Sequence, residues 1–213
     1  TGIQGRWSRF CDGYIWQLSG TTLIKLDPAT FEQISSITLP RSYYQPSSNI
    51  ILNTFYVKGG YFYGLGSATN ERNIIFKVNT ADVTDATTIT APNTITSFLG
   101  EINGKLMIST GSYATSGTVE YFIENDKLWR TKINNDSVSS YYNMNIIPVP
   151  GNGAYFLISH TYHSSSAYYS RIELRRNRLL AMTINNLDTP VTKTNATTMK
   201  IIYTITDESE EEE

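Results

Sequence analysis

The stretch "SHTYHSSSAYYSR", residues 159 to 171, holds both histidines of the chain, His160 and His163, together with Tyr162, Tyr168 and Tyr169. A His-x-x-His spacing can offer two imidazoles to a metal. A zinc site needs three or four ligands, and no cysteine or carboxylate lies beside these two in the sequence. No metal and no cofactor are therefore expected. Tyrosine mixed with serine suits recognition instead, because it combines rigid amphipathic area with adaptable hydrogen bonding. A second segment of the same flavour, "TGSYATSGTVEYFIENDK" at 110 to 127, adds Tyr113. The candidate ligand-binding residues are Tyr113, Tyr162, His163, Tyr168 and Tyr169.

Catalytic signatures are absent from the sequence: it has no Gly-x-Ser-x-Gly elbow, no phosphate-binding loop and no His-Glu-x-x-His. No catalytic residue is assigned, and the chain is expected not to be an enzyme. The alternative is a polysaccharide depolymerase. Its two carboxylates would come from Glu120, Glu124, Asp126 and Glu173, with Glu120 or Glu173 as a member of the pair, since glycosidases work through two carboxylates at a fixed separation.

The bulk numbers narrow the partners. Lys and Arg number 17 against 19 Asp and Glu, a net charge of −2. Nucleic-acid affinity rests on clustered basic residues, so nucleic acid is not an expected partner. No apolar run reaches the ~18 residues that span a bilayer, and membrane insertion is not expected. One cysteine, Cys11, excludes an internal disulfide and reads as a small buried apolar group. The 15 tyrosines, with abundant Thr, Ser, Asn and Ile, favour strands and turns over helices.

The positioning elements follow from an internal repeat. Residues 24 to 40, "IKLDPATFEQISSITLP", align without a gap on residues 76 to 92, "FKVNTADVTDATTITAP". The Lys-apolar-Asp/Asn triplet recurs as Lys25-Leu26-Asp27, Lys77-Val78-Asn79 and Lys132-Ile133-Asn134, with a degenerate copy at Thr183-Ile184-Asn185. A second marker keeps the same beat: Asp12-Gly13, Gly59-Gly60, Asn103-Gly104 and Asn152-Gly153 each precede an apolar strand. These pairs tolerate positive φ at both central positions of a type I′ hairpin turn. The Asp or Asn closing each triplet can turn the chain through its own side chain.

Each unit of roughly fifty residues thus reads as a four-stranded antiparallel meander, and four meanders must bury their faces on one another. The predicted fold is all-β, a four-bladed β-propeller-like repeat. The alternatives are a β-sandwich or a partial ring of a larger propeller. One domain, 1–206, would carry repeats at about 1–47, 48–93, 94–147 and 148–206, with 207–213 as a disordered acidic tail. The third strands are placed at "KLWRTKI" and "LLAMTI" in units three and four, after long loops that bear the candidate tyrosines. Trp7, Trp16 and Trp129 are expected in the core. The paired Tyr43-Tyr44 and Tyr141-Tyr142 are expected to send one ring in and one out, and Lys25, Lys77 and Lys132 to face solvent.

Residues 179 to 208, "LLAMTINNLDTPVTKTNATTMKIIYTITDE", resemble the closing segment of bacteriophage tail and virion-surface proteins. The upstream "DGYIWQLSGTTLIKLDPATFEQISSITLP" resembles bacterial and phage propeller blades. The resemblance implies a non-enzymatic virion or tail component, located on the phage particle or otherwise extracellular and soluble. It would be a structural or host-surface adhesion module, with other virion proteins or a host glycan or protein as partner. A homo-oligomer, or an assembly subunit with no ligand, is the further alternative.

Overall fold

The computed structural model describes residues 8–45, 53–111, 119–133, 141–149, 154–164, 167–176, 182–185, 192–193, 199–200 and 204–207. Among them the chain is all-β, with a single short 3-10 turn at Thr69–Glu71. Sheet 1 is β1 (Ser8–Cys11), β2 (Tyr14–Ser19), β3 (Thr22–Leu26) and β4 (Gln33–Thr38); sheet 2 is β5 (Phe55–Lys58), β6 (Tyr61–Leu65), β7 (Ile74–Asn79) and β8 (Ala86–Thr90). Sheet 3 follows with β9 (Ile95–Ile102), β10 (Lys105–Thr110), β11 (Val119–Glu124) and β12 (Lys127–Ile133). Each is an antiparallel meander in which neighbours in sequence are neighbours in the sheet.

Local chemistry explains the hairpins. Asp12 and Gly13 have φ of 53° and 76°, Gly59 and Gly60 55° and 78°, and Asn103 and Gly104 46° and 69°. Both central positions are left-handed in each, as type I′ requires. The fourth pair, Asn152-Gly153, lies outside the described residues, although Val149 N–H donates to Ala154 O across it at 3.0 Å. The repeated Asp/Asn also acts as expected: Asp27 Oδ1 accepts from Ala29 N–H at 2.7 Å and Thr30 N–H at 3.0 Å. Asn79 Oδ1 accepts from Ala81 N–H at 2.9 Å. The same turn, closed by the backbone N–H two places on, recurs in the two aligned stretches.

Units three and four depart from the expected strand positions. The third strand of sheet 3 is β11, inside the predicted long loop, and "KLWRTKI" is the outer strand β12. The reason is an unrecognised tight turn: Asn125 and Asp126 have φ of 51° and 57° and join two strands paired from Glu124↔Lys127 onward. Sheet 4 then begins at Tyr141, before the expected boundary at 148, with β13 (Tyr141–Pro148), β14 (Ala154–Ser164) and β15 (Ala167–Arg176). The expected fourth-unit strands at 179–184 and 198–206 instead supply a separate ladder, β16 (Met182–Asn185) with β19 (Thr204–Asp207), around the short pair β17 (Thr192–Lys193) and β18 (Met199–Lys200). Asp207 ends β19; the rest of the acidic tail lies outside the described residues.

The sheets stack face to face through their first strands, β1 on β5, β5 on β9 and β9 on β13. Arg9 reaches from β1 across two neighbours, donating to Phe55 O at 3.4 Å and Phe98 O at 2.7 Å, with its guanidinium 4.5 Å over Tyr56. Burial lowers its pKa to about 10. Cys11 Sγ accepts from Val57 N–H at 3.3 Å, so β1 and β5 run in the same direction at matched height. Sheet 3 is the middle layer, with β9 and β10 almost wholly buried on both faces. Its Phe98, Leu106 and Ile108 join the core shared with sheets 1 and 2. Its Leu99, Met107 and Phe122 join Ile146, Tyr155 and Leu157 of sheet 4. Near-continuous apolar strands are what a sheet covered on both sides demands. The result is a propeller-like array of successive meanders.

Trp16 and Cys11 are core residues at 4% and 3% exposure, and Trp129 packs partly buried against the second cluster; Trp7 lies outside the described residues. Lys77 corrects the solvent-facing expectation: its ammonium pairs with Asp126 of sheet 3 at 2.7 Å. Strand pairing holds a lysine and a neighbouring ring in one register, which the composition of the triplet does not reveal. The Lys132 side chain lies outside the described residues.

Candidate functional site

A cleft of about 480 Å³ opens between sheets 1 and 2, lined by Ser42, Tyr43, Tyr44, Gln45, Ser67 and Arg72, with the β2–β3 turn at Gly20 as its floor. Two connections build it, one from β4 to β5 and one from β6 to β7. Backbone bonds fix both. Leu39 N–H donates to Thr21 O and Tyr44 N–H to Leu65 O, each at 2.8 Å, and Tyr43 bridges Gly66. On the other wall Arg72 O accepts from Ile95 N–H at 2.9 Å, and Asn73 O from Ala91 N–H at 2.8 Å. The cleft is therefore rooted in the sheets, although loops line it, which is how recognition sites are usually mounted.

Tyr43 and Tyr44 divide as expected. The Tyr43 ring is 3% exposed and sits edge-on to Phe62 at 4.7 Å and Phe76 at 6.1 Å. Its hydroxyl is buried with no hydrogen-bond partner, and burial pushes its pKa up to about 12, against the pull of Arg41. It is a neutral donor at any physiological pH. Tyr44 is partly exposed, with the Arg72 guanidinium over its ring. Arg72 Nη2 makes one long bond to Ser67 O at 3.4 Å, while its buried Nε has no partner. Gln45 Nε2 donates to Gly20 O at 3.4 Å.

The adjacent arginine differs. Arg41 lies 2.5 Å from Glu71 Oε2 and 4.1 Å over Phe76. The Arg41 hydrogen bond holds the Glu71 carboxyl below its ordinary range against the opposing cost of desolvation, and the Arg41 charge and the Ala68 N–H add lesser contributions. Glu71 is thereby directed at Arg41 and Ala68, and no carboxylate lines the cleft among the described residues.

The residues singled out by sequence lie elsewhere. Tyr113 is outside the described residues. Tyr162, His163, Tyr168 and Tyr169 fall within β14 and β15, strands where a loop was expected. Tyr162 stands opposite Tyr168 and Thr161 opposite Tyr169, with a register shift at His163. Alternation in "AYYSRIELRR" carries the sheet to the hairpin tip. The structure therefore brings four of the five onto one hairpin; their side chains lie outside the described residues. Among the described residues no group of three His, Cys, Asp or Glu is placed to hold a metal, and no helix is long and apolar enough to cross a membrane.

Three carboxylates of the depolymerase alternative, Glu120, Glu124 and Asp126, have other engagements; the Glu173 side chain lies outside the described residues. Glu120 is 0% exposed, accepts from Tyr155 OH at 2.8 Å and pairs with Arg175 of β15, joining sheets 3 and 4. Asp126 pairs with Lys77, and Glu124 lies 4.0 Å from Lys105. They border a second cleft of about 400 Å³ between sheets 2 and 3, which also contains Lys58. Lys58 in turn pairs with Glu101 at 3.4 Å and donates to Gly104 O. Each lysine there has an acidic neighbour, so the second cleft is a clamp between sheets.

Arg72, Ser42 and Gln45 were not singled out in the sequence, because they come from separate connections that only the fold brings together. The signal available was Tyr43-Tyr44, whose partly exposed member marks the cleft.

No protein-family model matches the chain, and no curated protein matches it in sequence. Among solved structures it is similar to the N-terminal domain of Nup159, with TM-score 0.35 and 8% identity over 78% of this chain and 56% of that one. A prolyl endopeptidase, from a study of inter-domain dynamics in catalysis and specificity, gives 0.34 and 12% over 80% of this chain and 26% of that one. Hsv2p of Kluyveromyces lactis gives 0.33 and 10% over 73% and 60%. These neighbours are β-propeller-like folds, and the chain spans less than two thirds of each.

Proposed function

We propose that this chain is a non-enzymatic adhesion module of a phage virion or tail, which holds a host-surface ligand on the rim formed by the inter-strand connections. The observation that carries the recognition role is the cleft between sheets 1 and 2: a concave, sheet-anchored site lined by the partly exposed Tyr44 and Arg72, with one long hydrogen bond from the Arg72 guanidinium among the described residues. Its volume falls in the roughly 300–1,000 Å³ range of small-ligand sites. The β14–β15 hairpin, with Tyr162, His163, Tyr168 and Tyr169, is a second contact element. The virion setting rests on the resemblance of residues 179–208. Sequestration of Glu120 by Tyr155 and Arg175 weighs against the depolymerase alternative. Binding of the full chain to a host-surface glycan array tests the role: selective retention of a subset is expected, and no retention by folded protein overturns it. Release of reducing sugar from host polysaccharide would establish the enzyme instead.

A specific observation favours assembly as a second reading. Ile147, Phe156 and Leu174 stand in register across all three strands of sheet 4, at 52%, 38% and 65% exposure, with Ile172 at 68%. An apolar row on an open sheet face marks a contact surface. Phe156→Ser with Leu174→Ser should abolish any oligomer of the isolated chain; an unchanged sedimentation profile overturns the assembly role of this face.

A further inference from the structure

We infer that the Arg72–Tyr44 cleft takes the carboxylate of an acidic saccharide, a uronate-type residue; this rests on the adhesion reading above and specifies its ligand. The lining polarity is one-sided. Arg72 brings the one ionised group among the described lining residues, while Arg41 is held by Glu71 at 2.5 Å just outside. Ser42, Ser67 and the Gln45 amide add neutral hydrogen-bonding groups. Among the described residues the Arg72 guanidinium makes a single long hydrogen bond, from Nη2 to Ser67 O at 3.4 Å, and a charged donor gains most from a charged acceptor. An anionic ligand rich in acceptors engages the remaining guanidinium N–H groups.

Three features select the ligand class. A planar guanidinium pairs two N–H groups with one carboxylate, and Tyr44 beneath it restricts its tilt. Phosphate sites gather several cations, a glycine-rich nest or a helix N-terminus; the described lining residues bring one cation and no α-helix. The hydroxyl and amide groups around the guanidinium match the ring hydroxyls that flank a uronate carboxylate. Tyr44 and Gln45 supply the partly exposed wall on which a sugar ring can lie.

The test is calorimetric titration of the full chain, at low ionic strength, with tetragalacturonate and with its carboxyl-reduced counterpart. The acidic tetramer should bind at least tenfold more tightly than the neutral one. Arg72→Gln should weaken it at least tenfold while leaving the thermal midpoint in place, because the backbone bonds of residue 72 do not depend on its side chain. Arg72→Lys should fall between, keeping charge and losing the fork, and Tyr44→Leu should weaken binding as well. Equal binding of the two tetramers, no heat with either at millimolar concentration, or wild-type affinity in Arg72→Gln would overturn the inference. So would Arg72-dependent binding of a peptide C-terminal carboxylate without uronate binding. Array binding of neutral glycans that survives Arg72→Gln removes this inference and leaves the adhesion role standing; a blank array removes both.

Discussion

Lys105 places its ammonium 6.0 Å from the Phe122 ring centre, with lysine and ring on the opposite strands from their counterparts in the first two sheets. There the ring opens the second strand and the lysine lies on the third: Lys25 is 3.4 Å from the Tyr14 ring centre and Lys77 4.5 Å from that of Tyr61. In sheet 3 Lys105 opens the second strand, and Phe122, opposite Met107, takes the lysine position. The pairing chemistry is kept while the partners change strands, because a cation over a ring face is attracted whichever strand carries it.

Lys77 should therefore show two separable couplings. In double-mutant cycles, Lys77→Met with Tyr61→Leu should give about 0.5–1 kcal/mol. With Asp126→Asn the coupling should be roughly 0.2–1 kcal/mol, since the Asp126 side chain is 45% exposed. Urea unfolding at low salt and in 1 M NaCl checks this. The Asp126 coupling should shrink with salt much more than the Tyr61 coupling.

Glu120→Gln should destabilise the protein by up to about 3–5 kcal/mol, because it removes a carboxylate that pairs with the buried Arg175 cation. The two side chains are 1% and 5% exposed. The double variant Glu120→Met with Arg175→Met should recover most of that loss, since replacing a whole buried pair by apolar groups is often neutral. Chemical denaturation of the three variants decides it.

Asp27 governs a pH response in the β3–β4 turn. Hydrogen bonds from Thr30 and Ala29 N–H hold its carboxyl below its ordinary range. Its stabilising contribution is complete above the unfolded-state pKa of about 4 and is lost as pH falls through the lower folded-state value. Asn79 makes the same contact to Ala81 without ionising. Asp27→Asn should match wild type near pH 7 and should lose less stability between pH 5 and pH 2, as read from thermal midpoints.

Cys11 has its pKa raised by burial to about 11. A thiol raised above its unfolded value supports the fold fully below pH ~8.5, and that support is lost as pH climbs through the folded value. Labelling of native protein by a disulfide reagent at pH 8 should be slow and become rapid in denaturant. Cys11→Ser should flatten the alkaline arm of the stability profile between pH 8.5 and 11.

Gly64 has Phe62 and Tyr43 ring carbons 2.5 and 2.7 Å from where a Cβ would stand. Gly64→Ala should cost about 1–3 kcal/mol through forced ring displacement, measurable by urea unfolding. It should also perturb the cleft, because Tyr43 forms one wall.

What was legible in the sequence is what local chemistry decides. Asp12-Gly13, Gly59-Gly60 and Asn103-Gly104 announce their turns because few residue pairs adopt two successive positive φ values. Asp27 and Asn79 announce theirs through a side-chain acceptor. The third strand of sheet 3 was missed because Lys132-Ile133-Asn134 repeats the lysine triplet on the outer strand, while the decisive pair, Asn125-Asp126, contains no glycine. In sheet 4, tyrosine and serine in β14 and β15 resemble loop composition, and only strand alternation distinguishes them. The Arg72 cleft was not legible at all: its walls are separated in sequence by the whole of β5 and β6.

Sheet 3 lends one face to the core it shares with sheets 1 and 2 and the other to sheet 4, while Arg9 bolts β1, β5 and β9 together. Tension applied along the chain meets two seams of different construction. The seam to sheet 4 joins the Glu120–Arg175 pair and a separate apolar cluster to the β9–β13 contact, whereas the cleft belongs to the other seam. Loosening the second seam would leave the cleft, which lies wholly within the first, in place.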